Sequence, residues 1–492
     1  MKRVLSIFIV LAMLFAVVAC GSSSDKKTDE SEAKEEVKEK AEDSADKAED
    51  SADKAEDSAD KAEDSADKAE DSADKAEDSA ESDGEVTISL WTWSPITRTA
   101  EKMIAAFEAE NPNIKIEYTN YNYNPEYLAA ISAAAASDNL PDIMGLQPGS
   151  LTQTYSNYLI DLNEYAAADW GDDWASVYDN VTQSQLQLGN VEGDESYYIM
   201  PIESQVILIE YNKTLFNQLG LEKPTTYDEL VNAAQELRDN GYAPLFFGGA
   251  DGWQHVNLLI MCTSQIDPEL FDKAQNGEIP WTSDEMKQAM TNYQKLFDDG
   301  VIQDGSLSST SYSDGTTLFL AGQAGMMALG SWWAQEYTGE DVSDAVANWD
   351  YDYFYLPAIE EGVSDSLPIG GMDFGYGITK NCENPEAAWK ALASFAAGAG
   401  AQAIANDMNN HLSYPDIIPD KAQMPDRPGL DAAVDEFVRT GEDIAGGLVN
   451  QRIANAEIET AVQTAMQGLI GGTYDVDQAA QYIQDVQDTL GD

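Results

Sequence analysis

The sequence from Glu85 to Asp492 predicts an α/β fold that is large enough for two lobes with separate cores. An apolar strand pattern, Val86 to Trp91, is followed by a helix pattern, Thr99 to Glu110, and by a second strand pattern, Ile114 to Tyr118. Farther along, Val206 to Tyr211 is a β-branched apolar run of the kind that is buried on both faces of a parallel sheet. Ligands of such sheets bind beyond the carboxyl ends of the strands, so those ends are the candidate site.

Two further segments extend this alternation. A helix pattern over Tyr127 to Ala136 precedes a short buried strand, Leu140 to Met144, which ends at a Gln-Pro-Gly turn. In the middle of the chain, Thr226 and Glu229 form a Thr-x-x-Glu capping box that starts a helix ending at Asn240-Gly241. The apolar face of this helix consists of Leu230, Ala233, Ala234 and Leu237.

The N-terminus has the pattern of a secretory signal peptide over residues 1–19. Lys2-Arg3 is followed by an apolar run, Val4 to Ala19, and then by Cys20. Val17 to Gly21 resembles a bacterial lipobox, which implies a diacylglyceryl group on Cys20 after cleavage. An uncleaved transmembrane anchor is the alternative, but the run is shorter than the ~20 residues of a bilayer crossing. We expect an extracytoplasmic protein, anchored to the bacterial cell membrane.

Residues 20–84 have a different composition. A seven-residue unit, Ser-Ala-Asp-Lys-Ala-Glu-Asp, repeats from Ser44 to Asp78, and residues 21–84 contain no aromatic residue, so this segment cannot build a packed core. Alanines spaced alternately by three and four favour a helix, whereas a net charge of −2 per repeat opposes both helix and self-association. We expect a partly helical or disordered acidic tether on a monomer. An oligomeric coiled coil is the alternative.

The net negative charge of the chain disfavours several classes of binding partner. The formal net charge is −62, and −48 of it lies in residues 85–492, which contain 15 Lys and Arg against 63 Asp and Glu. Such a surface repels nucleic acid and anionic lipid headgroups. An anionic substrate is disfavoured because a carboxylate or phosphate clamp needs clustered arginines, and here they are scattered along the sequence. A neutral ligand is favoured. Solubility alone, or adaptation to a salty or acidic habitat, would also explain the acidity.

Cysteine and histidine are scarce. Cys262 and Cys382 are the only cysteines after Cys20, and His255 and His411 are the only histidines. Cys262 lies in an apolar run and Cys382 in a polar one, so two free thiols are expected rather than a disulfide. We expect no metal site and no cofactor.

Seven segments carry a family resemblance in their order along the chain. They are LWTWSP at Leu90 to Pro95, LPDIMGLQPG at Leu140 to Gly149, the strand and helices of Tyr198 to Arg238, LFFGGADGW at Leu245 to Trp253, LFLAGQAGMMALGSWW at Leu318 to Trp333, LPIGGMDFGYGITKN at Leu367 to Asn381 with the helix start Pro385 to Trp389, and Gly471-Gly472 with Gln478 to Ala480. Together they resemble the carbohydrate-type (family 1) extracellular solute-binding lipoproteins of ABC importers, which are similar to maltose- and oligosaccharide-binding proteins.

The resemblance implies a two-lobe periplasmic-binding-protein-like fold with a ligand cleft between the lobes. Residues 85–204 plus 357–400 would form lobe 1, and residues 205–356 plus 401–492 would form lobe 2. Sugars present apolar CH faces and hydroxyl groups, so a sugar site needs aromatic platforms flanked by carboxylates and amides. The candidate ligand-binding residues at the strand ends are Trp93, Asn124, Gln147, Glu203, Asp251, Trp253, Trp332, Trp333, Gly371 and Asp373.

Each candidate also has a structural interpretation. Tryptophan more often packs than binds, and an aspartate in so acidic a chain is usually a solvated charge. Trp253 and Trp332 follow small residues, which argues against deep burial, but only one of Trp332 and Trp333 can face the ligand if the backbone is extended. Gly370-Gly371 indicates either a tight turn or a close approach of the backbone to the ligand.

The resemblance implies a binding protein without catalytic residues. Its two lobes would close on a neutral sugar or oligosaccharide and deliver it to ABC permease subunits with a cytoplasmic ATPase, while lipid on Cys20 and the tether hold it near the membrane. A cell-surface glycoside hydrolase is the rival class, because the many acidic residues allow a catalytic carboxylate pair. No Gly-x-Ser-x-Gly, phosphate-loop or His-Glu-x-x-His motif is present. A binding protein for a non-sugar solute and an adhesin on a helical stalk are further alternatives.

Overall fold

The computed structural model describes residues 85–191, 193–338, 349–424 and 429–490, apart from the side chains of Asn124 and Tyr337. The predicted signal peptide, the lipidation site Cys20 and the acidic tether lie outside the described residues. Residues Gly84–Asp492 form a compact unit of their own.

One mixed sheet runs through this unit. Its strands are β1 (Val86–Thr92), β2 (Ile114–Asn120), β3 (Ile143–Leu146), β4 (Met200–Asn212), β5 (Ala243–Phe246), β6 (Ala324–Gly330), β7 (Tyr351–Phe354), β8 (Ile369–Ile378), β9 (His411–Leu412) and β10 (Val449–Asn450). The strand order is β2-β1-β3-β8-β4-β6-β5, with β7 and β9 also paired to β4, and β10 paired to β8.

Helices cover the sheet. They are α1 (Thr97–Glu110), α2 (Leu128–Ala136), α3 (Ser150–Tyr155), α4 (Asn163–Trp170), α5 (Asn180–Gln185), α6 (Lys213–Leu219), α7 (Tyr227–Asp239), α8 (Gly252–Ser264), α9 (Leu270–Gln275), α10 (Asp284–Asp298), α11 (Thr317–Leu320), α12 (Pro385–Ala397), α13 (Ala399–Asn406), α14 (Leu430–Gly446), α15 (Ala456–Ile470) and α16 (Val476–Leu490). In the described ranges, no helix is both long enough and apolar enough to cross a membrane.

The prediction of parallel pairing is correct at the two ends of the sheet and for the short pairing of β10 with β8. β1 pairs in parallel with β2 and β3, and β5 pairs in parallel with β6. In the middle, β4 is antiparallel to both β8 and β6, and β8 is antiparallel to β3. The reason is that β8 carries the chain back across the region that β4 crossed in the opposite direction.

Two hydrophobic cores confirm the two-lobe fold. Along β4, Ile202 belongs to the first core and Ile207 to the second; along β8, Ile369 belongs to the second core and Met372 to the first. Both strands therefore pass from one lobe to the other. We call the lobe around the first core lobe 1 and the other lobe 2. The predicted boundaries of the lobes in the sequence remain a prediction.

Local signals explain several element boundaries. In α7, the Thr226 hydroxyl accepts a bond from the Glu229 backbone, and the Glu229 carboxylate accepts one from the Thr226 backbone, so the predicted capping box is present. β3 begins at Ile143 rather than at Leu140, because Pro141 has no N–H to donate to a ladder. Cys262 and Cys382 are both free thiols, as the sequence predicts.

Candidate functional site

A cleft of about 240 Å³ lies where the two lobes meet. From lobe 1, the loop after β3 and the start of α3 line it; from lobe 2, the start of α8 and the segment from β10 into α15 do so. The lining side chains that carry aromatic, amide or charged groups are Tyr123, Gln147, Trp253, Asn257, Gln451, Arg452, Glu459 and Gln463.

On lobe 1, aromatic rings support the cleft wall. Trp93 follows β1 and is half-buried, and its ring centroid lies 4.8 Å from that of Tyr123 and 5.4 Å from that of Phe374. The Tyr123 hydroxyl donates a 2.7 Å hydrogen bond to Oε1 of Gln147. Asn124 follows Tyr123 in the π-helical turn Tyr123–Tyr127, and its side chain is not among those that the structure describes. Trp93, Tyr123 and Gln147 thus form one connected wall.

On lobe 2, a second aromatic group faces this wall. Trp253 stands in the first turn of α8, and Trp332 in the 3-10 turn Ser331–Tyr337 after β6. Their ring centroids are 6.1 Å apart with the planes at 69°. Trp253 lines the cleft itself, whereas Trp332 lines a separate, smaller hollow of about 80 Å³ together with Tyr312 and Glu336.

The adjacent tryptophans differ sharply in environment. The side chain of Trp332 is partly accessible, whereas Trp333 is 2% exposed and packs between Phe319 and Tyr351 in a smaller hydrophobic cluster, separate from the main core of lobe 2. The backbone here is helical rather than extended, yet the two rings still separate into an accessible and a buried one. A ligand role for Trp333 stays a prediction, and its packing supports a structural role instead.

Asp251 acts on the backbone beside the cleft. Its Oδ2 accepts a 2.7 Å hydrogen bond from the Ser311 backbone N–H, at the start of the π-helical turn that carries Tyr312. Tyr312 is 54% exposed, which makes it an accessible ring close to Trp332. Sequence reasoning missed Tyr312, because a tyrosine within a polar loop carries no periodic signal.

Asp373 is held by Arg452. The guanidinium Nη2 of Arg452 lies 3.2 Å from Oδ1 of Asp373, and the same group donates to the backbone oxygens of Met372 and Asp373 at 3.1 and 2.7 Å. Burial raises the pKa of Asp373, and the positive charge of Arg452 opposes that effect. In the sequence, Arg452 is one of several scattered arginines, and its pairing with Asp373 is not predicted because the two residues are distant along the chain.

Gly371 stands in the left-handed region with φ of 117°, and a Cβ there would lie 2.5 Å from Nε2 of Gln185. The close approach predicted for this glycine therefore exists, but it is toward Gln185, whose Oε1 accepts a 2.7 Å bond from the Met372 N–H. Contact between Gly371 and a ligand stays a prediction.

Glu203 lies beneath the cleft, with 0% of its surface exposed. It accepts hydrogen bonds from Oγ of Ser94 at 3.0 Å and from Nδ2 of Asn409 at 2.9 Å. Burial, and to a lesser extent the nearby charge of Asp373, raises the pKa of Glu203 to about 8. These contacts support a role in fixing the loop that follows Trp93, and direct ligand binding by Glu203 stays a prediction.

The arrangement suits recognition of a polar, uncharged molecule. Aromatic faces supply apolar contact, and amides and carboxyl groups supply hydrogen bonds in fixed directions. Among the described residues, no group of His, Cys, Asp and Glu is arranged to hold a metal ion.

Comparison with known proteins agrees with this architecture. The family described as "Bacterial extracellular solute-binding protein" matches residues 93–403. A multiple sugar-binding protein of Streptococcus mutans is 24% identical over 303 residues, which is 59% of this chain and 66% of that protein, just under two thirds of its length. Among solved structures, a chitin oligosaccharide binding protein (22% identity, TM-score 0.65) covers 82% of this chain and 98% of its own. A maltose-bound protein of T. maritima (18% identity, TM-score 0.62) covers 82% and 100%. The chain belongs to the family of bacterial extracellular solute-binding proteins.

Proposed function

We propose that the protein captures a neutral sugar or short oligosaccharide outside the cytoplasm and delivers it to the permease of an ABC importer. The observation that carries the proposal is the pairing, across one cleft, of the Trp253 ring on lobe 2 with Tyr123 and Gln147 on lobe 1. The Trp332 ring packs against Trp253 and lines the smaller hollow beside it. Stacked rings and directed amides match the alternation of CH faces and hydroxyl groups on a sugar. The similar proteins named above are themselves described as binding sugars.

The preference for an uncharged ligand follows from the cleft's charges. Arg452 is the one cation among the described lining residues, and its donors are already directed at Met372 and Asp373. An anionic group in the cleft would therefore compete with Asp373 for the charge of Arg452. An uncharged sugar leaves the pairing of Arg452 with Asp373 intact.

We infer that the protein binds its ligand without cleaving it. A glycosidase needs two carboxyl groups that face each other across the scissile bond. Glu459 lines the cleft, but it accepts a hydrogen bond from Ser150, and Glu203 is fully buried beneath Ser94 and Asn409. We assign no catalytic residue.

The remaining parts of the proposal rest on the sequence and on the family. A lipid on Cys20 would anchor a monomer to the outer face of the cell membrane, and the acidic tether would let it reach ligand and permease. Family membership supports the extracytoplasmic location.

Thermal unfolding of the purified protein tests the proposal. The panel contains mono- and oligosaccharides, polyols, amino acids and peptides, and each hit is checked by chromatography for breakdown. A ligand at a hundredfold excess over its dissociation constant stabilises the native state by about 2.7 kcal/mol. An intact sugar that raises Tm supports the proposal, a cleaved sugar indicates a hydrolase, and a shift with peptides or amino acids alone contradicts the substrate class.

A further inference from the structure

Gln451 is an amide side chain in the cleft wall whose polar atoms have no partner within the described part of the protein. It follows β10 and lines the cleft, and it is 4% exposed. Neither Oε1 nor Nε2 makes a hydrogen bond to any described residue. Buried amides are normally bonded, so this side chain indicates a partner that arrives from the cleft.

The backbone of Gln451 and the side chains of its two neighbours are held by hydrogen bonds, which fix the position of this segment in the cleft wall. The Gln451 backbone N–H donates to the Gly370 oxygen at 3.2 Å. Asn450 accepts a 2.8 Å bond from Gln185 and donates a 3.1 Å bond to Asp272. Arg452 is committed to the backbone of β8. The segment is therefore anchored on both sides, and none of these bonds involves the Gln451 side chain, which is free to rotate about its own single bonds. Its amide is shielded from solvent in this arrangement and meets a ligand by turning toward the cleft.

A second buried glutamine near the same segment shows the normal situation. Gln275 donates to Asp272 at 2.6 Å and to the Arg452 oxygen at 3.2 Å, and it accepts from the Ala454 N–H at 3.1 Å. Gln275 is 9% exposed, so burial is similar while hydrogen bonding differs. Gln275 therefore has a structural role, because its amide is bonded within the protein. The amide of Gln451 has no such bonds to the described residues.

We propose that Gln451 is a specificity-determining residue that binds two neighbouring hydroxyl groups of the ligand, one as donor to Oε1 and one as acceptor from Nε2. This inference rests on the proposed function and narrows it: the ligand carries a vicinal diol, as unmodified sugar rings do. Because an amide offers both a donor and an acceptor, it discriminates against a ring that lacks one of the two hydroxyl groups.

The test compares Gln451→Met and Gln275→Met in the purified full chain. The probes are maltotriose, raffinose, xylotriose and triacetylchitotriose. A third variant, Trp253→Ala, removes an aromatic ring from the cleft wall and reports whether a sugar binds in the cleft. For the sugar that the wild type binds, Gln451→Met should weaken the affinity at least tenfold in calorimetry. Without sugar, Gln451→Met should leave Tm unchanged or raise it, because no internal bond is lost. Gln275→Met should lower Tm, because it breaks three bonds.

The outcomes separate the two inferences. If the wild type binds a sugar that Trp253→Ala loses and Gln451→Met binds as tightly as the wild type, the role of Gln451 is overturned and the proposed function stands. If Gln451→Met lowers Tm without sugar as much as Gln275→Met does, Gln451 is bonded within the protein and the inference is overturned as well. If the wild type binds none of these sugars, and no polyol or other saccharide, the proposed function is overturned. The inference about Gln451 and a vicinal diol is then overturned as well, because it rests on that function.

Discussion

At the scale of single residues, Trp332 and Trp333 show that neighbours in the sequence can serve different purposes. Trp332 contacts Trp253 at the cleft, whereas Trp333 fills the core beside Phe319 and Tyr351. The difference arises from the helical turn after β6, which directs one ring outward and the other into lobe 2.

We therefore predict that Trp332→Ala weakens sugar binding at least tenfold and leaves Tm nearly unchanged, because an accessible ring is removed without opening a core cavity. Trp333→Ala is the matched control: loss of a buried aromatic should cost about 3–5 kcal/mol of unfolding free energy. Calorimetric titration and denaturant unfolding measure the two effects. A large loss of stability in Trp332→Ala with normal affinity would show that Trp332 is a packing residue of the core and not a ligand-binding residue.

Glu203 gives a prediction about pH. Its pKa, raised by burial to about 8, lies above the value near 4.3 of an unfolded glutamate. Because the pKa of Glu203 is raised in the folded state, the stability that its protonated carboxyl group contributes is fully present below about pH 4 and is lost as the pH rises through 8. Glu203→Gln, which resembles the protonated form, should match the wild type near pH 5 and exceed its Tm at pH 9. Equal Tm values at pH 9 would show that the carboxylate is tolerated.

Part of the site was predictable from residue types alone. Trp93, Gln147, Trp253 and Trp332 stand at element ends, and such ends are visible in the hydrophobic pattern, whereas Asp373 stands in the middle of β8. Tyr312, Arg452 and Gln451 were not predictable. Their importance depends on neighbours more than fifty residues away in the chain, or on the lack of any bonding partner, and neither property has a local pattern.

At the scale of elements, the capping box of α7 and the strand patterns of β1 and β2 were predictable because they depend on short-range spacing. The antiparallel pairing of β4 and β8 was not, since it is set by how the chain returns between lobes. Trp253 was expected after a strand and stands instead in the first turn of α8, because only a short loop separates β5 from that helix.

The packing of α14 against β4 leads to an element-scale prediction. Glu210 on β4 is 0% exposed and Glu436 on α14 is 5% exposed, and burial raises the pKa of both carboxyl groups. Two adjacent carboxylates repel each other, so one proton is retained at neutral pH. Because both folded pKa values lie above the unfolded one, the pair lowers stability increasingly as pH rises above about 4.

Glu436→Gln should accordingly raise Tm relative to the wild type, and more at pH 8 than at pH 5. Asp435→Asn is the matched control, because it removes the same charge from an exposed position of the same helix. Its Tm difference should vary little between the two pH values. Scanning calorimetry at both pH values measures these differences, and a Glu436→Gln variant that is less stable than the wild type at pH 8 would contradict the destabilising effect of the buried carboxyl pair.

At the scale of the whole molecule, the two lobes are joined by more than β4 and β8. Beside the cleft, the Ser150 N–H of lobe 1 donates a 2.9 Å bond to the Ile453 oxygen of lobe 2. Elsewhere, Arg98 on α1 of lobe 1 donates to the Gln335 oxygen at 3.2 Å and to the Thr338 hydroxyl at 3.1 Å, just beyond Trp332. Such contacts exist only while the lobes are together, so their free energy favours the closed arrangement.

Arg98 is the contact that can be tested without altering the cleft lining. Its side chain is 26% exposed and is also paired with Asp407 at 3.2 Å, so its guanidinium connects both lobes through fixed donors. Arg98→Met should lower sugar affinity several-fold, mainly through faster dissociation, because the closed arrangement loses two interlobe bonds. Lys115→Met, which removes a 2.8 Å ion pair to Glu108 within lobe 1, should leave the affinity unchanged.

Small-angle X-ray scattering then distinguishes closure from simple binding. If the ligand draws the lobes together, the radius of gyration of the wild type should fall when sugar is added, since ligand contacts in both lobes favour the closed state. Arg98→Met should be more extended than the wild type without sugar and should contract further when saturated. Identical scattering and dissociation rates in the two proteins would show that the Arg98 bonds do not hold the lobes together, and would assign closure to the ligand and the crossing strands alone.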